Sequence, residues 1–446
     1  MKQSYDFTQG NIWRQLFAFS LPIMLANLLQ VSYQIVDSLW VGNLIGANAL
    51  GAVSVAGTVI FVAFSFILGI NNATLTILSQ QKGKGDERAL ARYLNAFVVL
   101  LAALSLLASF VGYAFAEIIL KLLNTPPAML GQAKAYLQIN SMGMIFVIGY
   151  NFIGTVLRAL GDSKTPLKIV LAAVILNTVL DPIFIATFNL GVNGAALATI
   201  LAQGLAFLAG LYIILKGKLA PFSVPYLPAK KEVLLILKLG IPAGLQMSVI
   251  SAGAAAVMSV VNAFGPFVVS GYSAAHRLDH VIMLPAQALG TAVNSMAGQN
   301  IGANKWERVF KIARYGLFTN FCIMFFLALL VYFLAEPAIK LFIQEPAAVG
   351  FGKTFLQTIA FFYPFLGINF ILNGTVRASG AMYQVLILNI ISFWVLRYPL
   401  TLTFSSLLGE IGIALGMGSS FIISSIVVFC YFRYGGWRKI RLTESR

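Results

Sequence analysis

Apolar residues in this chain come in successive blocks of about twenty, the length that crosses roughly 30 Å of hydrocarbon as a helix. The blocks recur along almost all of its 446 residues. In hydrocarbon a backbone has no water to bond, so each block must satisfy its own N–H and C=O groups as a helix. Composition agrees: the chain is 59% hydrophobic and only 10% charged, where a soluble chain has about 25% charged residues. The expected fold is therefore all-α, a polytopic membrane protein. Twelve spans are predicted, near 14–40, 47–76, 92–117, 134–158, 166–188, 191–215, 233–263, 267–297, 311–335, 352–376, 383–406 and 409–432. Pro22, Pro182, Pro242, Pro285, Pro364 and Pro399 fall inside spans, which neighbouring helices tolerate by satisfying the freed backbone groups.

The formal charge of +16 follows the loops rather than forming a nucleic-acid-binding patch. With the N-terminus placed inside and loops assigned alternately, the outer side keeps only Lys121, Lys134, Lys340 and Lys353. Arg277 and Arg397 stay within spans. The other basic residues gather inside, among them Lys2, Arg14, Lys82, Arg88, Arg158, Lys230, Arg308 and the tail residues Arg433, Arg441 and Arg446. Such an asymmetry reports topology, with both termini cytoplasmic in a cell membrane. It also suits anionic lipid better than a nucleic-acid partner. Cys322 and Cys430 lie in spans and form no disulfide or metal pattern. Residues 1–12 are polar and the first apolar run is too long for a signal-peptide core, so no cleaved leader is expected.

The chain also repeats itself at an offset of about 220 residues. Leu21-Pro22 returns as Ile241-Pro242, and Ser79–Gly83 returns as Gly298–Gly302. Arg158-Ala159-Leu160-Gly161 returns as Arg377-Ala378-Ser379-Gly380, and Leu190–Leu197 returns as Leu408–Leu415. Six spans per half, an even number, make the two halves parallel bundles about a pseudo-two-fold axis along the membrane normal. Bundles so related suit alternating access. The expected division is an N-terminal six-helix lobe at 1–216, a cytoplasmic linker at 217–231, a C-terminal lobe at 232–433 and a basic tail at 434–446. The charged segments 82–92 and 305–314 are expected as solvated amphipathic turns.

Within the spans, ionisable residues are costly, a carboxylate at mid-membrane about 2.5–3.5 kcal/mol, and so point to function. Asp37 shares a helical face with Asn27, Gln30 and Gln34 by spacings of three and four. Asn177 and Asp181 share a face on the fifth span, where Pro182 marks a bend. One reading is a polar seam, with a buried Asp capping the backbone freed at the bend. The other brings Asp37 and Asp181 together with Asn177, Asn151 and Thr199 as a site for a proton or Na⁺. Two carboxylates in low dielectric titrate as a unit, and oxygen ligands suit a hard cation.

The second half departs from this plan, since the repeat sets Val257 opposite Asp37 and Tyr398 opposite Asp181. It holds instead His276, Arg277, Asp279 and His280 on the eighth span, with Arg397 on the eleventh. Arg277 can pair with Asp279 or leave that role to Arg397. The cluster reads either as a structural ion-pair group or as a proton relay or contact for acidic head groups. A two-His metal site lacks supporting ligands.

Taken together, the six-plus-six repeat, Leu21-Pro22 with Gln34-x-x-Asp37, the Gln/Gly segments at Gln80–Gly83 and Gln299–Gly302, Arg158-Ala-x-Gly161 and Asn177-x-x-x-Asp181-Pro182 resemble the multidrug and toxic compound extrusion (MATE) family, in its DinF-like branch. The resemblance covers nearly the whole chain. It implies a secondary transporter, not an enzyme, with two lobes and antiport of H⁺ or Na⁺ against cationic or amphipathic organic compounds. It carries over Gln34, Asp37, Asn151, Asn177, Asp181 and Thr199 as the cation site, with Pro22 and Pro182 as hinges. No cofactor is implied beyond the coupling ion, and a monomer in the bilayer is expected. The alternative is a flippase for a lipid-linked or amphipathic metabolite, for which Arg277 and Arg397 are the only basic groups within the membrane. No selectivity filter, phosphate loop or nucleophile motif supports a channel, an ATPase or a membrane enzyme.

Overall fold

A computed structural model describes residues 5–440 and Leu442. Lys2, Arg441, Arg446 and most of the end of the tail lie outside the described residues. Those described form helices and short connections, with no strand.

The first half comprises α1 (Ile12–Leu44), α2 (Ala47–Lys84), α3 (Glu87–Ala114) and the short α4 (Ala116–Leu122). A crossing broken into α5 (Pro127–Met142) and α6 (Met144–Ala159) follows, its halves bent by 51°. Next come α7 (Lys164–Pro182), which runs into a π-helical turn at Ile183–Thr187, and α8 (Gly191–Gly217). The second half repeats the order: α9 (Lys230–Asn262), α10 (Pro266–Ile282), α11 (Leu284–Gly302) and α12 (Trp306–Lys340). A second broken crossing, α13 (Pro346–Ala360) and α14 (Tyr363–Ala378), bends by 55°. The chain ends with α15 (Met382–Ile390), a π-helical segment at Ile391–Arg397, α16 (Tyr398–Leu408) and α17 (Ile411–Tyr434).

Among the described residues nine helices are long and apolar enough to cross a membrane, and the two bent pairs raise the number to eleven. The twelfth crossing is α10 with α11, whose His276, Arg277, Asp279 and His280 lower its apolarity. Its place between α9 and α12 matches that of α2 between α1 and α3. The molecule is thus an all-α polytopic membrane protein of twelve transmembrane helices in two repeated bundles.

Segments 82–92 and 305–314 differ from expectation, because they are helix ends rather than turns. Helix α2 continues to Lys84 and stops at Gly85, whose φ is 72°. The Asp86 side chain then caps α3 by accepting from the Ala89 N–H at 2.9 Å. Helix α12 likewise starts at Trp306, so Arg308, Lys311 and Arg314 decorate an intact helix. Charge at these positions carries side chains to water from the helix ends, and the backbone ladder breaks only at Gly85–Asp86 and just before Trp306.

Each half also forms a compact unit, and the division falls inside α1 and α9. The first unit holds Leu25–Gly240; the second holds Asp6–Met24 together with the chain from Ile241 onward. The first part of α1 therefore belongs with the second bundle, not with residues 1–216, and the first part of α9 belongs with the first. Local contacts explain both placements. In the second unit Phe7 is fully buried, its ring 4.9 Å from Phe19. The Phe7 N–H donates to Gln299 at 3.2 Å, and its carbonyl accepts from Asn300 at 2.9 Å and Arg308 at 2.8 Å. In the first unit the linker backbone at Tyr226 makes two hydrogen bonds with the Asn95 amide, at 2.9 and 3.0 Å. Arg92 meets Glu232 at 3.2 Å.

Two further features are duplicated. Glu117 accepts from Lys121 at 2.6 Å and Lys134 at 2.7 Å; Glu336 accepts from Lys340 at 2.7 Å and Lys353 at 2.8 Å. These four lysines are the ones that the sequence leaves on the outer side. Their hydrogen bonds, Lys121 first, hold the Glu117 carboxyl down to about 2. The Arg-Ala-x-Gly repeats end at Gly161 (φ 92°) and Gly380 (φ 94°), a backbone region that favours glycine. A Cβ on Gly161 would come within 2.3 Å of the Tyr5 carbonyl oxygen, and one on Gly380 within 2.2 Å of Leu442.

Candidate functional site

In the first unit, α1, α5, α7 and α8 bring polar side chains into one buried cluster. Asp37 is 8% exposed, while Asp181 and Asn177 are fully buried. The Asn177 amide donates to Asp181 Oδ1 at 3.0 Å. One turn before Asp37, the Tyr33 hydroxyl donates to Thr199 Oγ1 at 3.0 Å and also engages Gln203. Asp37 and Asp181 lie within coulombic range of each other, and both lie within range of Tyr33 and Tyr136. Three oxygens of the cluster, Asp37 Oδ1, Asp181 Oδ2 and Asn177 Oδ1, are buried without a hydrogen-bond partner. Leaving such acceptors unpaired costs about 1–3 kcal/mol each, more when charged. A proton on either carboxylate or a hard cation among these oxygens lowers that cost, so the oxygen set fits H⁺ or Na⁺.

Four of the six sequence-predicted residues thus meet: Asp37, Asp181, Asn177 and Thr199. The other two stand apart. Gln34 is exposed, and Asn151 turns back to donate to the Val147 carbonyl of its own helix at 2.8 Å. Asn151 lines a separate small cavity with Gln30, Tyr150 and Arg158. The expected seam of Asn27, Gln30, Gln34 and Asp37 therefore splits. Tyr33 and Tyr136 lie near the two carboxylates instead, and only the four-residue spacing of Tyr33 from Asp37 signals either of them. Helix α1 passes unbroken through Pro22, which is buried, while Pro182 ends α7 directly before the π-helical turn. That turn follows Asp181 by one residue, and π insertions are frequent where a helix carries function.

Among its described residues the second unit holds no such pair. Val257, opposite Asp37 in the repeat, is 1% exposed in an apolar cluster with Tyr272, Met324 and Phe421. The cluster predicted on the eighth span is not an ion-pair group. Asp279 accepts a short hydrogen bond from the buried Tyr363 hydroxyl, and no ion pair joins it to Arg277 or Arg397. Arg277 is exposed and lies 5.9 Å from the Phe342 ring centroid. His276 stacks on Tyr272 at 5.8 Å, with the His280 ring 5.9 Å away. Both histidines are exposed. Arg397, the last residue of the second π-helical segment, is 8% exposed, with its guanidinium 3.8 Å from the Phe393 ring centroid and 4.7 Å from that of Phe421. Its Nε and Nη2 have no hydrogen-bond partner. Among the described residues, no group of three or more His, Cys, Asp or Glu could hold a metal ion.

Fold and site together define a polytopic membrane protein of two repeated bundles, with paired carboxylates buried in one of them. The MatE family model matches residues 22–183 and again 242–403, once in each half. The chain belongs to this family of multidrug efflux transporters. It is 58% identical to the probable multidrug resistance protein YpnP of Bacillus subtilis, with 100% of both chains covered. It is 24% identical to a Shewanella oneidensis protein named as an FAD transporter, over 97% of this chain and 96% of that one. Among solved structures, a mutant of the Vibrio cholerae MATE transporter VcmN superposes with a TM-score of 0.92 at 22% identity, covering 97% of this chain and 98% of that one.

Proposed function

We propose that this protein exports cationic or amphipathic organic compounds in exchange for H⁺ or Na⁺ by alternating access, with the coupling cation held at Asp37 and Asp181. The observation that carries the reading is the buried cluster itself, two carboxylates and an amide with three unpartnered oxygens in one lobe. Ionised, the pair concentrates negative charge in low dielectric; a bound cation reduces it. A cation that binds the two access states with different affinity shifts their balance and drives substrate release. Pro182 and the π-helical turn after Asp181 place a deformable segment beside the site. The basic loops favour an orientation with both termini cytoplasmic, and the transporter acts as a monomer in the cell membrane.

The test is efflux of a cationic dye from inverted vesicles under separately imposed pH and Na⁺ gradients. One gradient should drive transport, and Asp37→Asn should abolish it at unchanged expression. Transport indifferent to both gradients, or unimpaired in Asp37→Asn, overturns the assignment.

A further inference from the structure

Arg397 is a buried cation whose neighbours do not complete its chemistry. A guanidinium carries five N–H donors in its own plane and no acceptor. Phe393 and Phe421 attract its charge through their faces, a contribution of about 0.5–2 kcal/mol or more at a desolvated site. Ring faces provide no lone pair for the in-plane donors, and Nε and Nη2 are buried without partners. Asp279 and Tyr272 lie within coulombic range of the guanidinium. Asp279 is nevertheless occupied by the Tyr363 hydroxyl and forms no ion pair with Arg397. The site sits at the end of the π-helical segment Ile391–Arg397, in the same bundle as the exposed rings of His276 and His280.

We propose that Arg397 is a binding site for an oxyanion, the carboxylate or phosphate of an amphiphile, received edge-on by its unpartnered donors while the aromatic rings hold the guanidinium in place. Two parallel N–H···O bonds to a planar or tetrahedral oxyanion are what this fork makes best. The apolar part of the ligand is suited by the surrounding Phe and Tyr side chains. The inference rests on the export reading only for the ligand's fate; binding itself is independent of the Asp37–Asp181 cluster. The oxyanion can come from an exported compound or from a lipid head group.

The test uses purified full-length protein in phosphatidylcholine nanodiscs, with dansyl-labelled undecanoate and its uncharged primary amide as probes. The carboxylate should bind about ten- to hundredfold more tightly than the amide, the range of charge-assisted hydrogen bonds. Arg397→Gln should bring carboxylate affinity down to that of the amide and leave amide binding unchanged. Arg397→Lys, which keeps the cation and guards against a folding loss, should lower the preference several-fold because the fork is gone. Asp37→Asn should keep the full preference while losing coupled efflux, which separates failure of this site from failure of the export reading. Competition by phosphatidylglycerol in the discs assigns the oxyanion to lipid; absence of competition assigns it to the exported compound. Equal binding of the two probes to the wild type, or an undiminished preference in Arg397→Lys or Arg397→Gln, overturns the proposal.

Discussion

The two bundles share one backbone plan and differ in charge at its most unusual point. Both place a π-helical segment and a proline in the fifth crossing of the half, at Pro182 with Ile183–Thr187 and at Ile391–Arg397 with Pro399. The first bundle sets Asp181 there, linked to Asn177 and near Asp37. The second sets Arg397 there, over two phenylalanine rings, and fills the place of Asp37 with Val257. By contrast, the Glu117 and Glu336 clamps and the Gly161 and Gly380 turns are nearly superimposable in chemistry. The surface clamps and the glycine turns were kept in both copies, and the buried charge was not. The proposed cation site and the proposed oxyanion site therefore fall in separate bundles of one chain.

The strongest challenge to that contrast is to neutralise the first bundle. Asp181→Asn should reduce gradient-driven efflux to background while the protein still folds, and adding Val257→Asp should not restore it. Recovery by the second substitution would show that the bundles are interchangeable. Tyr33→Phe should weaken apparent cation affinity by up to about tenfold, because it removes one buried hydrogen bond worth about 0.5–1.5 kcal/mol; titration of transport against pH or Na⁺ reads it. An affinity unchanged from wild type would remove Tyr33 from the site.

The shared features should respond similarly in the two copies. Gly161→Ala and Gly380→Ala should each lower stability by about 1–2 kcal/mol from backbone strain, with a modest excess at Gly161, where the Cβ meets the Tyr5 backbone rather than the movable Leu442 side chain. Melting in detergent checks the pair, and a large inequality would break the structural likeness. Gln34→Ala and Asn151→Ala should leave coupling close to wild type, in contrast to Asp37→Asn. The smallest effect is expected for Glu117→Gln. The Glu117 carboxyl is held down to about 2 from an ordinary 4.5, so its contribution is complete above 4.5 and fades as pH falls toward 2. The melting difference between wild type and Glu117→Gln should shrink over that window and stay flat above it.

Most of the fold is legible in the sequence because hydrocarbon leaves an apolar block of twenty residues few choices. The repeat likewise exposes the two bundles. Helix ends are less legible, since Lys82, Lys311 and Arg314 mark where side chains reach water and not where the backbone stops bonding. In the site, Asp37, Asn177, Asp181 and Thr199 stand out as polar groups in apolar runs. Gln34 misleads for a geometric reason. At about 100° per residue, positions three before and four before Asp37 lie on either side of it, within roughly 60°. Packing selects the Tyr33 side, and spacing alone cannot. Tyr136 is hidden because an aromatic residue in a span reads first as filler. Glu117 and Glu336, the partners of the four outer lysines, emerge only from the fold, which brings Lys134 and Lys353 back to them.

The division of α1 between units has a consequence for biogenesis. Residues Asp6–Met24 leave the ribosome more than two hundred residues before Ile241, yet they belong with the bundle that resumes there. At about 5–20 residues per second, the leading segment waits on the order of ten to forty seconds for its partners. During that interval Phe7 and the buried side of α1's first half need temporary cover from lipid or an insertion factor. A transporter cut into halves at the linker leaves each fragment short of a helix segment that only the other supplies.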